Sequence, residues 1–480
     1  MLFFQVIMPQ PILIVTFKMF LDTLKSMSRK KGLRLKGRTK SHIISFLIVV
    51  FALLLIFNQS GDTDEEEPHM AWDCTFSDSE LCELVELNER FRCDGPNGEM
   101  DQDHCRTTED GYEEVTMFTD QANHITAPMT EEEYSIDILE IGEVDPWDAE
   151  FRDGNLYYTE MEGYMVIHDL EDEVDRIEVP GTEKFGNTGL LGLALDPEFE
   201  DNGYVYFYHF DEFRVEYMEE KEMSHDPVYN SISRFTLEDG EFHDQKILID
   251  EIEGSSGHSG GRIKIKDDML YATTGDGELV KSLPDEIEMI QDIDYLGGKV
   301  LRMNLDGSIP EDNPFEDSPV YAYGLRNPQG LDFHPETGDP FISVHGPWQH
   351  EEIVAVKNGA NYGWPAYKCD KPYQDLEIEG EIAEGVYCFD AWTIAPSGTT
   401  FVDDEDHPWY GSYFVTGLRG SMLYRIEFDP ETYDVELAEI FYIKNDEAVI
   451  DVNNRLRNVE FYDGSLYLFG DGHGAAILSP

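Results

Sequence analysis

His258 opens the run H-S-G-G-R directly after the small residues Gly254, Ser255, Ser256 and Gly257, and Asp276 closes the next β-type run in T-G-D-G. A glycine- and serine-rich approach lets backbone come close to a ligand. A histidine with a carboxylate in reach is a general base whose tautomer the carboxylate can hold. A lone histidine is more often structural, and the plain alternative for the aspartate is a β-turn residue. Only the combination points to proton abstraction. Arg326 in L-R-N-P, Arg419 in G-L-R-G, and Arg455 and Arg457 in N-N-R-L-R stand out because the 480-residue chain has only 34 basic residues against 100 acidic ones. A guanidinium is a forked, permanently charged donor suited to carboxylates, and a spacing of two puts Arg455 and Arg457 on one face of a strand. The plain alternative in so acidic a chain is that each arginine pairs with a carboxylate of the protein itself.

The elements that must position these groups read as β-strands from about residue 130 onward, short apolar runs broken by Gly, Asp, Asn and Pro with no sustained helical period. A turn followed by an aromatic-rich strand recurs six times: DGNLYYTE from Asp153, NGYVYFYHF from Asn202, DDMLYATTGD from Asp267, GDPFISVHG from Gly338, GSYFVTGLRG from Gly411 and DGSLYLFGDG from Asp463. With Leu156, Val205, Leu270, Phe341, Tyr413 and Leu466 as markers, the repeats lie about 50 to 70 residues apart, room for a four-stranded blade with its loops. The expectation is an all-β, six-bladed propeller rather than an irregular sandwich, which needs no repeat. Several units end in polar groups: Thr274-Gly275-Asp276, His345-Gly346-Pro347, Arg419 and Asp471. Buried blade strands should stay apolar, so these ends are expected to converge on one mouth of the channel, where a ligand site belongs.

Six stretches in colinear order carry a family resemblance: GNTGLLGLALDPEFEDNGYVYFYHF from Gly186, GHSGGRIKIKDDMLYATTGDG from Gly257, LGGKVLRMNLDGSIPEDNPF from Leu296, YGLRNPQGLDFHP from Tyr323, HGPWQHEEI with NGANYGWP from His345, and NNRLRNV from Asn453. Over about residues 130–478 the chain resembles the glucose/sorbosone dehydrogenases, quinoproteins that use pyrroloquinoline quinone (PQQ) and calcium. The resemblance implies that His258 takes the proton from a sugar's anomeric hydroxyl while hydride passes to the quinone, with Asp276 holding the imidazole. It implies that Arg326, Asn327, Arg455 and Arg457 bind the quinone, which carries three carboxylates, with Arg326 also beside the reacting atoms. Arg419 stands where the family has lysine, and Asn187 where it has glutamine or glutamate, both near cofactor and substrate. The backbone carbonyls of Gly346 and Pro347 match those that hold the catalytic calcium. Glu352 and Tyr362 match part of a second, structural calcium site, with Glu351 where the family has aspartate. Trp348 and Trp392 are candidates to stack on the quinone or the sugar. The implied activity is oxidation of an aldose or sugar aldehyde, with electrons leaving to an external acceptor. A non-catalytic propeller that binds a protein or a glycan is the alternative. A lactonase-type hydrolytic propeller would need a ring of side-chain calcium ligands, and that pattern is not apparent.

Composition narrows the setting. The hydrophobic content of 41% supports a large core, and the formal net charge of −66 argues against nucleic acid as a partner. Such a surface repels itself at low salt, which suits a halophilic source. Nine of the basic residues precede an apolar run at 43–57, and the acidic stretch 62–67 follows it. This reads as a basic cytoplasmic segment (1–42, with Met27 an alternative start), an uncleaved transmembrane signal-anchor at 43–58, an acidic cysteine-containing linker at 59–125, and the propeller at 126–480 on the outer side of a cell membrane. A cleaved signal peptide is the other reading of the same run. All six cysteines (Cys74, Cys82, Cys93, Cys105, Cys369 and Cys388) follow it. An even count there suits disulfides better than zinc, since no C-x-x-C occurs, and Cys369 and Cys388 are a natural pair.

Overall fold

The computed structural model describes residues 104–108, 111–115, 124–127, 132–139 and 141, and from 146 to 479 all but 171–173, 211–227, 256, 279–286, 348–349, 370, 375, 379, 390–392, 420–421, 443–454 and 472–473. Four strands come first: β1 (His104–Thr108), β2 (Gly111–Val115), β3 (His124–Ala127) and β4 (Glu132–Leu139). Blade one follows with β5 (Pro146–Arg152), β6 (Asn155–Glu160), β7 (Tyr164–His168) and β8 (Val174–Glu178). Blade two is β9 (Leu190–Leu195), β10 (Tyr204–Phe210), β11 (Val228–Glu238) and β12 (Glu241–Gly254). Blade three is β13 (Gly260–Lys266), β14 (Met269–Thr274), β15 (Lys299–Asn304) and β16 (Val320–Tyr323). Blade four contains β17 (Pro328–Phe333), β18 (Pro340–Val344), β19 (Glu351–Ala355) and, beyond the ribbon of β20 (Tyr367–Lys368) and β21 (Lys371–Pro372), β22 (Tyr387–Phe389). Blade five is β23 (Pro396–Phe401), β24 (Tyr413–Gly417), β25 (Met422–Phe428) and β26 (Val435–Tyr442). Blade six joins β27 (Leu456–Tyr462), β28 (Ser465–Gly470) and β29 (Gly474–Ser479) to β4 from the other end of the chain.

The innermost strands β5, β9, β13, β17, β23 and β27 adjoin one another in ring order, and β27 returns to β5. The six-bladed propeller expected from the repeat is therefore formed. Each of the six marker residues falls on the second strand of a different blade and is at most 1% exposed. Those strands are apolar because both of their faces pack against neighbouring blades: Leu156 and Tyr158 of blade one share a cluster with Tyr467 and Phe469 of blade six. The turns that punctuate the repeat are tight hairpins. Asp153-Gly154 and Asp463-Gly464 both have positive φ at the two central positions (50° and 85°, 46° and 75°), the Asp-Gly geometry of a turn that matches strand twist.

Closure was not legible in the sequence. β4 pairs with β29 in the register Ala475↔Leu139 to Ser479↔Ser135, so an early strand completes the last blade and ties the ring shut. The segment expected as a linker also contributes strands: β1 pairs with β26, and β3 with β4, extending blades five and six. The propeller sheets thus begin before residue 126, because a blade's outer strand is an open edge that a passing extended segment can cover. Cys369 and Cys388 form a disulfide, as their pairing suggested. Cys74, Cys82, Cys93, the apolar run at 43–57, Trp348 and Trp392 lie outside the described residues. Among the described residues no helix is long and apolar enough to cross a membrane.

Candidate active site

In an antiparallel blade the start of the first strand and the end of the second lie at the same end of the sheet. His258 precedes β13 and Asp276 follows β14. Arg326 and Asn327 precede β17, and His345, Gly346 and Pro347 follow β18. Arg455 precedes β27 and Asp471 follows β28. The polar unit ends consequently gather at one mouth of the channel, as expected from the repeats. Blades three and four supply its chemical centre.

His258 has φ of +54°, and Gly275 has no room for a side chain because a Cβ there would lie 1.9 Å from the His258 carbonyl. This close passage brings the imidazole onto the end of β14. Its Nδ1 is 2.8 Å from Asp276 Oδ1, and its Nε2 is 3.0 Å from Arg326 Nη2. A guanidinium in a protein keeps its protons, so Arg326 donates and Nε2 carries the lone pair. The imidazole is therefore protonated on Nδ1, which donates to Asp276. Asp276 is buried, and its remaining capacity is filled: Oδ2 accepts from Trp364 Nε1 at 2.9 Å, and Oδ1 also accepts from the Glu278 N–H at 3.0 Å. Burial pushes this carboxyl up, but the charge and hydrogen bond of His258, then Arg326 and the Glu278 amide, outweigh it and hold Asp276 below the usual carboxylate range. On the open side, Glu278 Oε1 lies 3.8 Å from Nε2.

Arg326 is 9% exposed and donates through Nη1 to the carbonyls of His345 at 2.7 Å and Gly346 at 2.9 Å. Its partners are two carbonyls and a neutral ring, and Asp276 and Glu351 act on it only at longer range; burial accordingly lowers its pKa. Asn327 is fully buried and accepts from the Gly260 amide at 3.0 Å, while its own carbonyl accepts from His345 N–H at 3.0 Å. It fastens the loops that carry His258 and His345. Arg455 and Arg457 converge on one acceptor as their spacing suggested, but that acceptor is Asp471: Arg455 Nε at 2.8 Å, and Arg457 Nε and Nη2 at 2.9 and 2.7 Å.

A model of the family described as Glucose / Sorbosone dehydrogenase matches residues 144–479. The chain belongs to the glucose/sorbosone dehydrogenase family. The quinoprotein glucose dehydrogenase B of Acinetobacter calcoaceticus is 32% identical over 279 residues, covering 54% of this chain and 56% of that enzyme. The PQQ-bound aldose sugar dehydrogenase of Streptomyces coelicolor superposes with a TM-score of 0.56 at 28% identity, covering 72% of this chain and 97% of the other. The human Hedgehog-interacting protein is 26% identical over 301 residues, 56% of this chain and 40% of its own length. The matched segment thus spans a little over half of the first relative and under half of the last.

The remaining positions implied by the family resemblance are distributed unevenly. Asn187 lies on the mouth side, three residues before β9, with an exposed side chain that makes no hydrogen bond among the described residues. Arg419 is exposed, and its charge reaches Glu351, which burial raises to about 7 against the amides of Ile394 and Ala395. Gly346 and Pro347 line a small pocket together with Arg326, Glu352, Tyr362 and Trp364. Glu352 and Tyr362 thus lie at the same pocket, each engaged with the protein itself. Tyr362 donates to the Ala355 carbonyl and accepts from the Lys357 amide, both at 3.0 Å, and Glu352 accepts from the Cys369 amide. Among the described residues no group of three or more His, Cys, Asp or Glu is placed to hold a metal. The Cys369–Cys388 disulfide clips the loop there, joining it to the strand that pairs with Glu352. Trp364 was missed in the sequence because it meets Asp276 across 88 residues, and no local spacing announces such a contact.

Proposed function

We propose that this protein oxidises the hydroxyl of an aldose or sugar aldehyde with PQQ as its cofactor and calcium beside it, handing electrons to an external acceptor. The propeller is proposed to work on the outer face of a membrane, anchored by its N-terminal apolar segment. One observation carries the reading: His258 is locked by Asp276 on Nδ1 and keeps its lone pair on Nε2, turned toward the mouth.

The residues fit an anionic planar cofactor. Arg326 is a nearly buried cation that touches no carboxylate among the described residues, so a charged ligand satisfies it better than the carbonyls it now holds. Arg455 and Arg457 together carry one more positive charge than Asp471 removes, and half-exposed Arg455 is the one turned outward. The Gly346 carbonyl, which would be one of the oxygens to hold the cation, also accepts from Arg326 Nη1. When bound, the quinone supplies a two-electron acceptor, and calcium polarises it. The chain's own part is proton transfer: Arg326 releases Nε2, a sugar hydroxyl takes its place as donor, and the proton passes to Nε2 while Asp276 stabilises the imidazolium. Asn327 keeps the His258 loop in register throughout. Asn187 and Arg419 lie at the rim, where they meet the outer part of the ligand.

Dye reduction by the purified ectodomain, with quinone and calcium added across a panel of aldoses, is the test. Reduction that requires all three components is expected. A protein that binds the quinone yet reduces no acceptor with any aldose would instead be a binding module on the same fold.

A further inference from the structure

The pair His258–Asp276 is held in place by a segment that contributes nothing to the chemistry itself. Residues 287–298, which begin with the short 3-10 turn Ile287–Gln291, lie between β14 and β15 and press against the end of β14. Four contacts tie this segment to the dyad. Tyr295 Oη donates to the Asp276 carbonyl at 3.2 Å, and the Gly298 amide donates to the Gly275 carbonyl at 2.9 Å. Thr274 Oγ1 donates to the Leu296 carbonyl at 2.5 Å. Gln291 Nε2 donates to the Trp364 carbonyl at 2.6 Å, and Trp364 is the residue whose indole holds Asp276 Oδ2. Ile290, Tyr295 and Trp364 also share one small apolar cluster, so the segment and the tryptophan pack as a unit.

The unit is fastened from inside. Lys299 is fully buried, and its ammonium donates to the carbonyls of Ile290 and Gly297, both at 2.8 Å, drawing the two ends of the segment together. Burial pushes Lys299 down to about 7, against Glu253 and Asp292, and Glu253 in turn accepts from the Leu296 amide at 3.0 Å. A buried lysine spent on two backbone carbonyls is costly unless the geometry it fixes matters.

We propose that Lys299 is a positioning residue for the reaction: by closing residues 290–297 it sets Tyr295, Gln291 and, through Gln291, Trp364, and these fix the Asp276 carboxylate against His258. The proposal rests on the reading of His258 as the base. The groups facing His258 are Asp276, Arg326, Glu278 and, ring to ring at 6.3 Å, His345. Loosening the segment withdraws Asp276, so the imidazolium loses its carboxylate.

The experiment follows the His258 ring protons by NMR titration in cofactor-free protein for the wild type, Lys299→Met and Tyr295→Phe, alongside sugar kinetics of the quinone-loaded forms. Each variant is expected to lower the His258 midpoint by about half to one pH unit. In the kinetics, kcat should fall roughly three- to tenfold with the KM for sugar unchanged. Tyr295→Phe removes a single hydroxyl and serves if Lys299→Met does not fold. An unchanged His258 midpoint in the folded variants overturns the proposal. If the wild type oxidises no aldose the functional reading fails, but the titration still decides whether the segment positions the pair.

Discussion

Arg326 and Arg457 were both expected to hold a cofactor, both are nearly buried, and the structure gives them opposite surroundings. Arg457 sits 3% exposed in a two-point pair with Asp471 and also reaches Gln329 Oε1 at 3.3 Å. Among the described residues Arg326 touches only carbonyls and the lone pair of His258. A guanidinium already neutralised by a carboxylate is part of the frame, and its removal strands a buried charge. A guanidinium held by neutral acceptors keeps its charge for a ligand. The expectation that each arginine of an acidic chain meets a carboxylate is therefore right for blade six and wrong for the mouth of blades three and four.

The largest effect that sharpens this contrast is on the Arg326 side. His258→Ala should lower turnover by roughly 10² to 10⁴ with little change in quinone affinity, measured by dye reduction and calorimetric titration. Equal turnover in the variant would remove the base and with it the reason for an uncompensated arginine beside it. Next comes stability. Arg457→Met is expected to cost about 3 kcal/mol in chemical denaturation because Asp471 loses its buried two-point partner and keeps only half-exposed Arg455, whereas Arg326→Met should cost under about 1.5 kcal/mol while weakening quinone binding. Similar losses of stability for the two would break the comparison.

The pH dependence is smaller and separates the same two regions. Burial raises Asp471, but Arg457 and then Arg455 outweigh it and hold it below the usual carboxylate range. A carboxyl depressed in the folded state stabilises it above the unfolded value of about 3.9, and that contribution is lost as pH falls through the folded value. Acid denaturation of the wild type should therefore steepen below about pH 4, and Asp471→Asn should flatten part of that fall while the part due to Asp276 remains. The smallest expected effect is at Arg455, whose side chain is 49% exposed against 15% for Asp471. Arg455→Ala should cost no more than about 1 kcal/mol, and the loss should shrink in high salt.

The sequence by itself determined the blades. Short apolar runs, Asp-Gly hairpins and six aromatic-rich strands are local features, and each marker residue landed on a second strand, because a strand packed on both faces must be apolar whatever its neighbours are. It also fixed which unit ends are polar, and antiparallel pairing alone brings those ends to one mouth. His258 and Asp276 were legible for that reason: they flank one hairpin, 18 residues apart, and meet at 2.8 Å. Tertiary structure decided everything that depends on distant partners. Ring closure by β4, the seating of Trp364 on Asp276 and the capture of Arg457 by Asp471 join segments whose sequences carry no mark of one another. Above all, it decided which buried arginine is neutralised. A side chain's charge is written in the sequence, but whether that charge is free for a ligand depends on which acceptor the fold places within about 3 Å of it.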